Sequence, residues 1–253
     1  MKETWLSRQE LEEKIITKIK PAYSVLDIGC GIRPQEYQLP VVHICCEPFA
    51  EYVDKLQEVV KKRNDRVFVV LKADWAEVLK VLPPKSVENI FITDVIEHIT
   101  KKEAAGLIKK TEKIATGQII IFTPLGYMPQ HHEDGLDAWG LHGTEVQTHR
   151  SGWTPADFDK TWEIYGAKKF HFFDLLGRKF EKPFGAFYAI KNIENNSSEK
   201  INIDTLKIWQ LLVEINVSAF TKMIVSALKL TVWIVSFIHM VRLRLGQMFS
   251  KTR

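Results

Sequence analysis

Short apolar runs separated by longer amphipathic stretches set the rhythm of this chain. Ser24 to Ile28, Val41 to Cys46, Val67 to Leu71, Asn89 to Thr93 and Gln118 to Phe122 are brief and nearly continuous in apolar residues, the pattern of strands buried on both faces. Between and before them the spacing turns helical. Ser7-x-x-Glu10 is a capping box that opens a helix with Leu11, Ile15, Ile16 and Ile19 on one face, and Pro21 ends it. Phe49 to Lys62 carries Tyr52, Leu56, Val59 and Val60 at helical intervals. A second box, Thr100-x-x-Glu103, opens a helix bearing Leu107, Ile108 and Ile114. Pro124 stops the fifth strand, and Lys169 to Phe173 and Phe187 to Ile190 are expected as the last two. Strands alternating with helices predict an α/β fold with a mostly parallel sheet, right-handed crossovers and a ligand at the carboxyl ends of the strands.

The polar, aperiodic stretch 192–200 reads as a linker. It divides a domain over 1–191 from a C-terminal extension over 201–253 that is helical in pattern.

The most informative segment is Ser24-Val-Leu-Asp-Ile-Gly-Cys-Gly-Ile-Arg-Pro34. A strand ending near Asp27 runs into a Gly29-x-Gly31 turn, where missing side chains let a ligand lie against backbone. A dinucleotide site needs a third glycine and a pyrophosphate on a helix N-terminus. Here Pro34 takes that third position, and Asp27 would repel a pyrophosphate while suiting a ligand with an ammonium and a sulfonium. This disfavours a nicotinamide oxidoreductase and points to S-adenosylmethionine (SAM).

Asp27-x-Gly29-x-Gly31 resembles motif I of the class I SAM-dependent methyltransferases, and Asp27 to Gln35 as a whole is similar to methyltransferases of bacterial surface-polysaccharide gene clusters. The resemblance runs from about Tyr23 to Lys191; it departs from the common form at Arg33, where a third glycine often sits, so that the following helix is expected at a different angle. It implies a Rossmann-like seven-stranded, mostly parallel sheet closed by an antiparallel pair, with Asp27, Gly29, Cys30 and Gly31 against the cofactor.

Glu47 stands 18 residues after Gly29 at the end of the second strand, where a carboxylate accepts both ribose hydroxyls; a plain helix-start acid is the alternative. The resemblance assigns Asp74 to the adenine amino group, and Trp75 beside it to ring stacking; as residues alone, Asp74 also reads as a helix N-cap and Trp75 as core. Asp94-Val-Ile-Glu97-His98 follows the fourth strand and is expected to face the transferred methyl. Its two carboxylates and imidazole offer a general base or half of an oxygen-and-nitrogen metal site. The base is the reading adopted, with Asp94 toward the cofactor and Glu97 and His98 catalytic; no metal is assigned.

After the fifth strand come about 45 residues without a clear strand, too many for a plain connection. In the polysaccharide-cluster relatives, a Thr-Pro-x-Gly start and a later Ser-Gly-Trp-x-Pro flank the substrate pocket; here these are Thr123 to Gly126 and Ser151 to Pro155. The mixture of aromatic and polar side chains suits a sugar, and His131 and His132, closest to the fifth strand, join the candidate bases. The four histidines of this segment lack a regular zinc-ligand pattern.

Charge adds one point. Arg242, Arg244, Lys251 and Arg253 end the chain without an acid among them; with these four set aside from the 35 basic residues, the remaining 31 match the 31 acidic ones. A domain with no positive excess argues against nucleic acid as a partner, whereas a basic tail behind an apolar run points to anionic lipid. Met223 to Val241 is short for a membrane crossing and is broken by Lys229 and His239, so peripheral contact through 201–253 is expected, with packing on the core or across a homodimer interface as the alternative. Three cysteines without a disulfide framework, and an N-terminus without a signal-peptide pattern, place the chain in the cytoplasm. The expected function is SAM-dependent O-methylation of a sugar hydroxyl on a glycan or glycolipid precursor. Its rival is a non-catalytic module of the same fold that recruits partners at a membrane.

Overall fold

The computed structural model describes residues 2–130, 135–174 and 177–193, all within the compact unit Met1–Asn196. The extension 201–253, residues 194–200 of the expected linker, and His131 and His132 lie outside the described residues.

Eight strands form one sheet: β1 (Lys2–Trp5), β2 (Ser24–Ile28), β3 (Val42–Cys46), β4 (Val67–Leu71), β5 (Val87–Thr93), β6 (Ala115–Pro124), β7 (Trp162–Phe173) and β8 (Lys179–Asn192), in the order β1-β7-β8-β6-β5-β2-β3-β4. All neighbours pair in parallel except β8, which is antiparallel to both β6 and β7. Without β1 this is the Rossmann-like seven-stranded order with its antiparallel closing pair. The chain runs outward from β2 to β4 and then crosses back to β5. That reversal leaves a crevice at the carboxyl ends of β2 and β5, where open α/β sheets bind ligands.

Period-two alternation sorts the strand side chains onto two faces. Leu26, Ile28, Ile90, Ile92, Ile119 and Ile121 enter one buried cluster with Leu107 and Ile114 of α4 (Lys101–Ile114) and Val78 of α3 (Trp75–Val81). Val25, Phe91, Ile120 and Phe122 enter the other with Leu11 and Ile15 of α1 (Arg8–Lys18). Both expected capping boxes form, Ser7 with Glu10 and Thr100 with Glu103, and α2 (Ala50–Val60) buries Tyr52, Val53 and Leu56.

Several elements depart from expectation. β1 adds an eighth strand: its side chains are exposed or half-buried, so no apolar alternation announces it, and Gly166 opposite makes room for the Trp5 ring, since a Cβ there would lie 2.5 Å from it. α3 was hidden in plain propensity, although Asp74 and Glu77 close a third capping box at its start. β7 begins at Trp162 rather than Lys169, and Asn192 ends β8 rather than opening the linker. The largest departure lies after the glycine turn, where residues 29–41 contain no helix. Pro34 withholds an N–H from that stretch. The loop is tied instead to the sheet, Gln35 N–H donating to Asp27 Oδ2 at 2.8 Å.

Candidate active site at the carboxyl edge of the sheet

Every strand from β2 to β6 delivers residues to one cavity of about 470 Å³. Gly29 and Gly31 follow β2, Glu47 follows β3, Asp74 and Trp75 lie beyond β4, Asp94, Glu97 and His98 follow β5, and Pro124 ends β6; all line the cavity. Six of the eight residues expected at the cofactor, and Glu97 and His98, are thus brought together.

The glycine turn needs its glycines. Gly29 has φ +64° and Gly31 φ +60°, conformations that carry a steric cost for any residue with a Cβ. A Cβ on Gly31 would also sit 2.4 Å from the Trp139 ring, and one on Gly29 2.7 Å from Val95. Glu47 holds the turn in place: its Oε2 accepts Gly31 N–H at 3.0 Å and its Oε1 accepts Phe49 N–H at 2.9 Å. Burial raises its carboxyl above the usual range, and these two N–H groups pull it back.

Asp27 and Cys30 sit behind the cavity and are not among its lining residues. Asp27 is buried, accepting Gln35 N–H and, at 3.1 Å, His43 Nε2–H. The Arg66 guanidinium lies 3.1 Å from His43 Nδ1, which makes Nδ1 the acceptor and Nε2 the donor to Asp27. Asp27 therefore organises the turn from beneath. Asp74 has both characters weighed for it: one carboxylate oxygen caps α3 through Glu77 N–H at 2.8 Å, and the residue lines the cavity. Trp75 packs partly against the core under the ammonium of Lys110.

Asp94 turns the chain at the end of β5 with φ +52°, a left-handed conformation that Asp tolerates better than most residues. Glu97 and His98 then occupy a 3-10 turn, Ile96–His98. Asp94 is open to the cavity, and the protein packed around it raises its carboxyl to about 7, with contact to Glu97 opposing the rise. Glu97 is 2 % exposed, and burial followed by the charge of Asp94 raises it well above the ordinary range. Its Oε2 accepts from the Thr123 hydroxyl at 3.0 Å.

The long connection from β6 to β7 builds the remaining wall. Its two motifs meet: Gly126 N–H donates to Trp153 O at 2.6 Å, and Gly152 lies so close to Tyr127 that a Cβ would be 2.4 Å from its backbone nitrogen. Arg150 and Ser151 N–H both donate to Glu97 O, the Ser151 hydroxyl contacts Ile96 O and Ile99 O, and Trp153 Nε1–H reaches Ile96 O at 3.1 Å. These bonds seat Met128, His149 and Arg150 beside the β5 turn, where all three line the cavity. Residues 135–143 fold back over the glycine turn and fasten to α2, with Tyr52 Oη donating to Asp137 and His142 meeting Glu51. Trp139, His171, Phe173 and Phe180 also line the cavity. None was singled out from sequence, because each reaches the cavity only through the closure of this loop or the β7–β8 hairpin.

Asp137 gives one pH-dependent expectation. Burial alone would raise its carboxyl, but hydrogen bonds from Tyr52 and from the N–H groups of Leu141, Trp139 and Gly143 hold it below the usual range. Replacing Tyr52 by Phe removes a bond to a charged group and is expected to cost about 1.5–3 kcal/mol in urea unfolding at neutral pH. A depressed carboxyl contributes its stability above the unfolded value and loses it as pH falls through the folded one. The gap between wild type and variant is thus constant above about pH 4 and shrinks only below it. A gap unchanged in acid would mean that the Asp137 charge takes no part.

No protein-family model and no curated protein matches the sequence. Among solved structures, the chain is similar to the YcgJ protein of Bacillus subtilis, with 10 % identity over 74 % of this chain and 100 % of that one at a TM-score of 0.49. It is also similar to the magnesium protoporphyrin IX methyltransferase of Synechocystis with bound SAM, with 13 % identity over 73 % and 79 % at 0.44. A third likeness is to a SAM-dependent methyltransferase of Archaeoglobus fulgidus, with 16 % identity over 73 % and 92 % at 0.41. These are likenesses of fold, at identities where substrate does not transfer.

Proposed function

We propose that this chain is a SAM-dependent methyltransferase acting on a hydroxyl of a sugar in a glycan or glycolipid precursor. The observation that carries the reading is the set of carboxyl groups gathered in the cavity. Glu47, Asp74, Asp94 and Glu97 line it, and no helix N-terminus stands behind the glycine turn to receive a phosphate. Such a donor set fits a ligand with an ammonium and a sulfonium, and the Gly29–Gly31 turn is a cradle that a Cβ would fill.

Glu47 would hold the ribose hydroxyls, Asp74 the adenine amino group, and Trp75 the ring. When bound, SAM supplies an electrophilic methyl group. The protein's part is to align an acceptor oxygen with it and to take up the proton that oxygen releases. Asp94, raised to about 7 by the protein packed around it, and His98 both line the cavity and are the described groups proposed to take up that proton; His131 and His132 stay in the proposal as further bases. The sugar is suggested by a wall mixing aromatic Trp139, Phe173 and Phe180 with polar Gln130, Gln147 and Arg150. Attachment to the cytoplasmic face of a membrane through 201–253 belongs to the same reading; among the described residues no helix is long and apolar enough to cross a membrane.

Calorimetric titration of the purified protein with SAM, with NAD as control, tests the class. Binding on the order of micromolar for SAM alone is expected, followed by a mass gain of one methyl on sugar acceptors. A folded sample that ignores SAM overturns the reading.

A further inference from the structure

We infer that Glu97, His98 and His149 form a site for a divalent transition-metal ion on the floor of this cavity. The inference rests on the methyl-transfer reading only for what the ion does, not for whether it binds.

One carboxylate oxygen of Glu97 and one ring nitrogen each of His98 and His149 lie within 4.8 Å of one another. Metal–ligand bonds of about 2.0–2.2 Å place such atoms roughly 3 Å apart around an ion, so a modest closing movement of side chains completes the set. The two imidazoles already converge, their centroids 4.8 Å apart with planes at 60°.

The surroundings prepare these groups as ligands. His149 Nδ1 lies 2.6 Å from Met128 O, and a carbonyl can only accept, so Nδ1 carries the proton and Nε2 has the lone pair. His98 Nδ1 faces Thr148 O in the same way at 3.4 Å. A histidine whose other nitrogen donates to a backbone carbonyl is the usual outer-shell arrangement of a metal ligand. Glu97 supplies a second sign: its side chain is buried, Oε2 is held by Thr123, Oε1 meets no donor among the described residues, and its carboxyl lies against that of Asp94. Two carboxyl groups in contact at that depth repel one another unless a proton or a cation is shared between them. The two chain segments that carry the ligands are also laced together, Arg150 and Ser151 N–H to Glu97 O, so the geometry rests on a fixed frame.

Two imidazoles and one carboxylate select zinc, iron(II), cobalt(II) or manganese over calcium and magnesium, which prefer oxygen alone. Three protein ligands leave coordination positions toward the cavity. An acceptor hydroxyl bound there would be held in place and acidified. With the ion bound, His98 serves as a ligand and the proton passes to Asp94, His131 or His132 instead. The sequence exposed two of the three ligands, Glu97 and His98; the third arrives from the far side of the loop.

The test is a cobalt(II) titration of the full chain after treatment with chelator, followed by visible absorption and calorimetry, with SAM titrated into the same samples. One equivalent is expected per chain. Glu97→Gln and His98→Gln should each weaken cobalt affinity at least about tenfold, the loss seen even for outer-shell partners. His98 is only half-buried, so its variant is expected to fold, which circular dichroism checks. A wild type that takes up no cobalt, or both variants binding as well as wild type, overturns the site. In the latter case Cys45→Ser would show whether the buried group Asp27, His43 and Cys45 had captured the ion. SAM binding without cobalt binding sinks the metal site alone; cobalt binding without SAM binding sinks the cofactor reading alone.

Discussion

Glu47→Ala is expected to weaken SAM binding at least about a hundredfold and, at the same time, to soften the glycine turn. Two charge-assisted hydrogen bonds to ribose, each worth about 1.5–3 kcal/mol, amount to at least a hundredfold in affinity. The structure adds a second duty. Glu47 takes the N–H groups of both Gly31 and Phe49, and stranding buried donors costs about 1–3 kcal/mol. Calorimetry and urea unfolding on one preparation separate the duties. A loss of stability with SAM affinity intact would make Glu47 a fastener of the turn and remove it from the ribose.

Trp153→Ala is expected to be the most damaging single change to the wall of the site. The ring is 3 % exposed, packs near Phe158, and donates to Ile96 O and Ser151 Oγ. Truncating such a buried aromatic costs about 3–5 kcal/mol, or a melting temperature lower by about 10 °C for a domain of this size. Trp153→Phe keeps most of the packing but removes the indole N–H shared by Ile96 O and Ser151 Oγ, at a cost of about 0.5–1.5 kcal/mol. Because Ile96 opens the turn that carries Glu97 and His98, turnover should fall more steeply than SAM affinity in both variants. Equal losses in the two quantities would mean that Trp153 supports the domain generally and not the β5 turn.

What could be seen in the sequence follows from where the signal is local. β2 to β6 are central strands buried on both sides, so each spells itself as an apolar run; Ile119 to Ile121 needs no context to be read. The capping boxes at Ser7 and Thr100 are equally local. β1 was invisible because an edge strand of Lys-Glu-Thr-Trp has nothing to alternate against. At the site, Gly29, Gly31, Glu47, Asp94, Glu97 and His98 were legible since the fold dictates what stands at the end of each strand. The place of Asp27 was not: a carboxylate two residues before the turn can point to ligand or to sheet, and His43 and Gln35 decide for the sheet. Trp139 and His149 owe their positions to loop closure across tens of residues, for which no periodicity exists.

The crossing of Gly126 and Trp153 has a consequence for the history of such a protein. The cofactor half is built from strand ends that the core holds in register, whereas the opposite wall is a stretch of chain pinned at its two ends and at Asp137. Residues between those pins, such as Gln130, Val146 and Gln147, face the cavity without supporting the sheet. Selection can rewrite them singly, or lengthen the stretch, and leave the strand-end half of the cavity intact. Descendants of one ancestor would then share the strand ends and disagree about the acceptor.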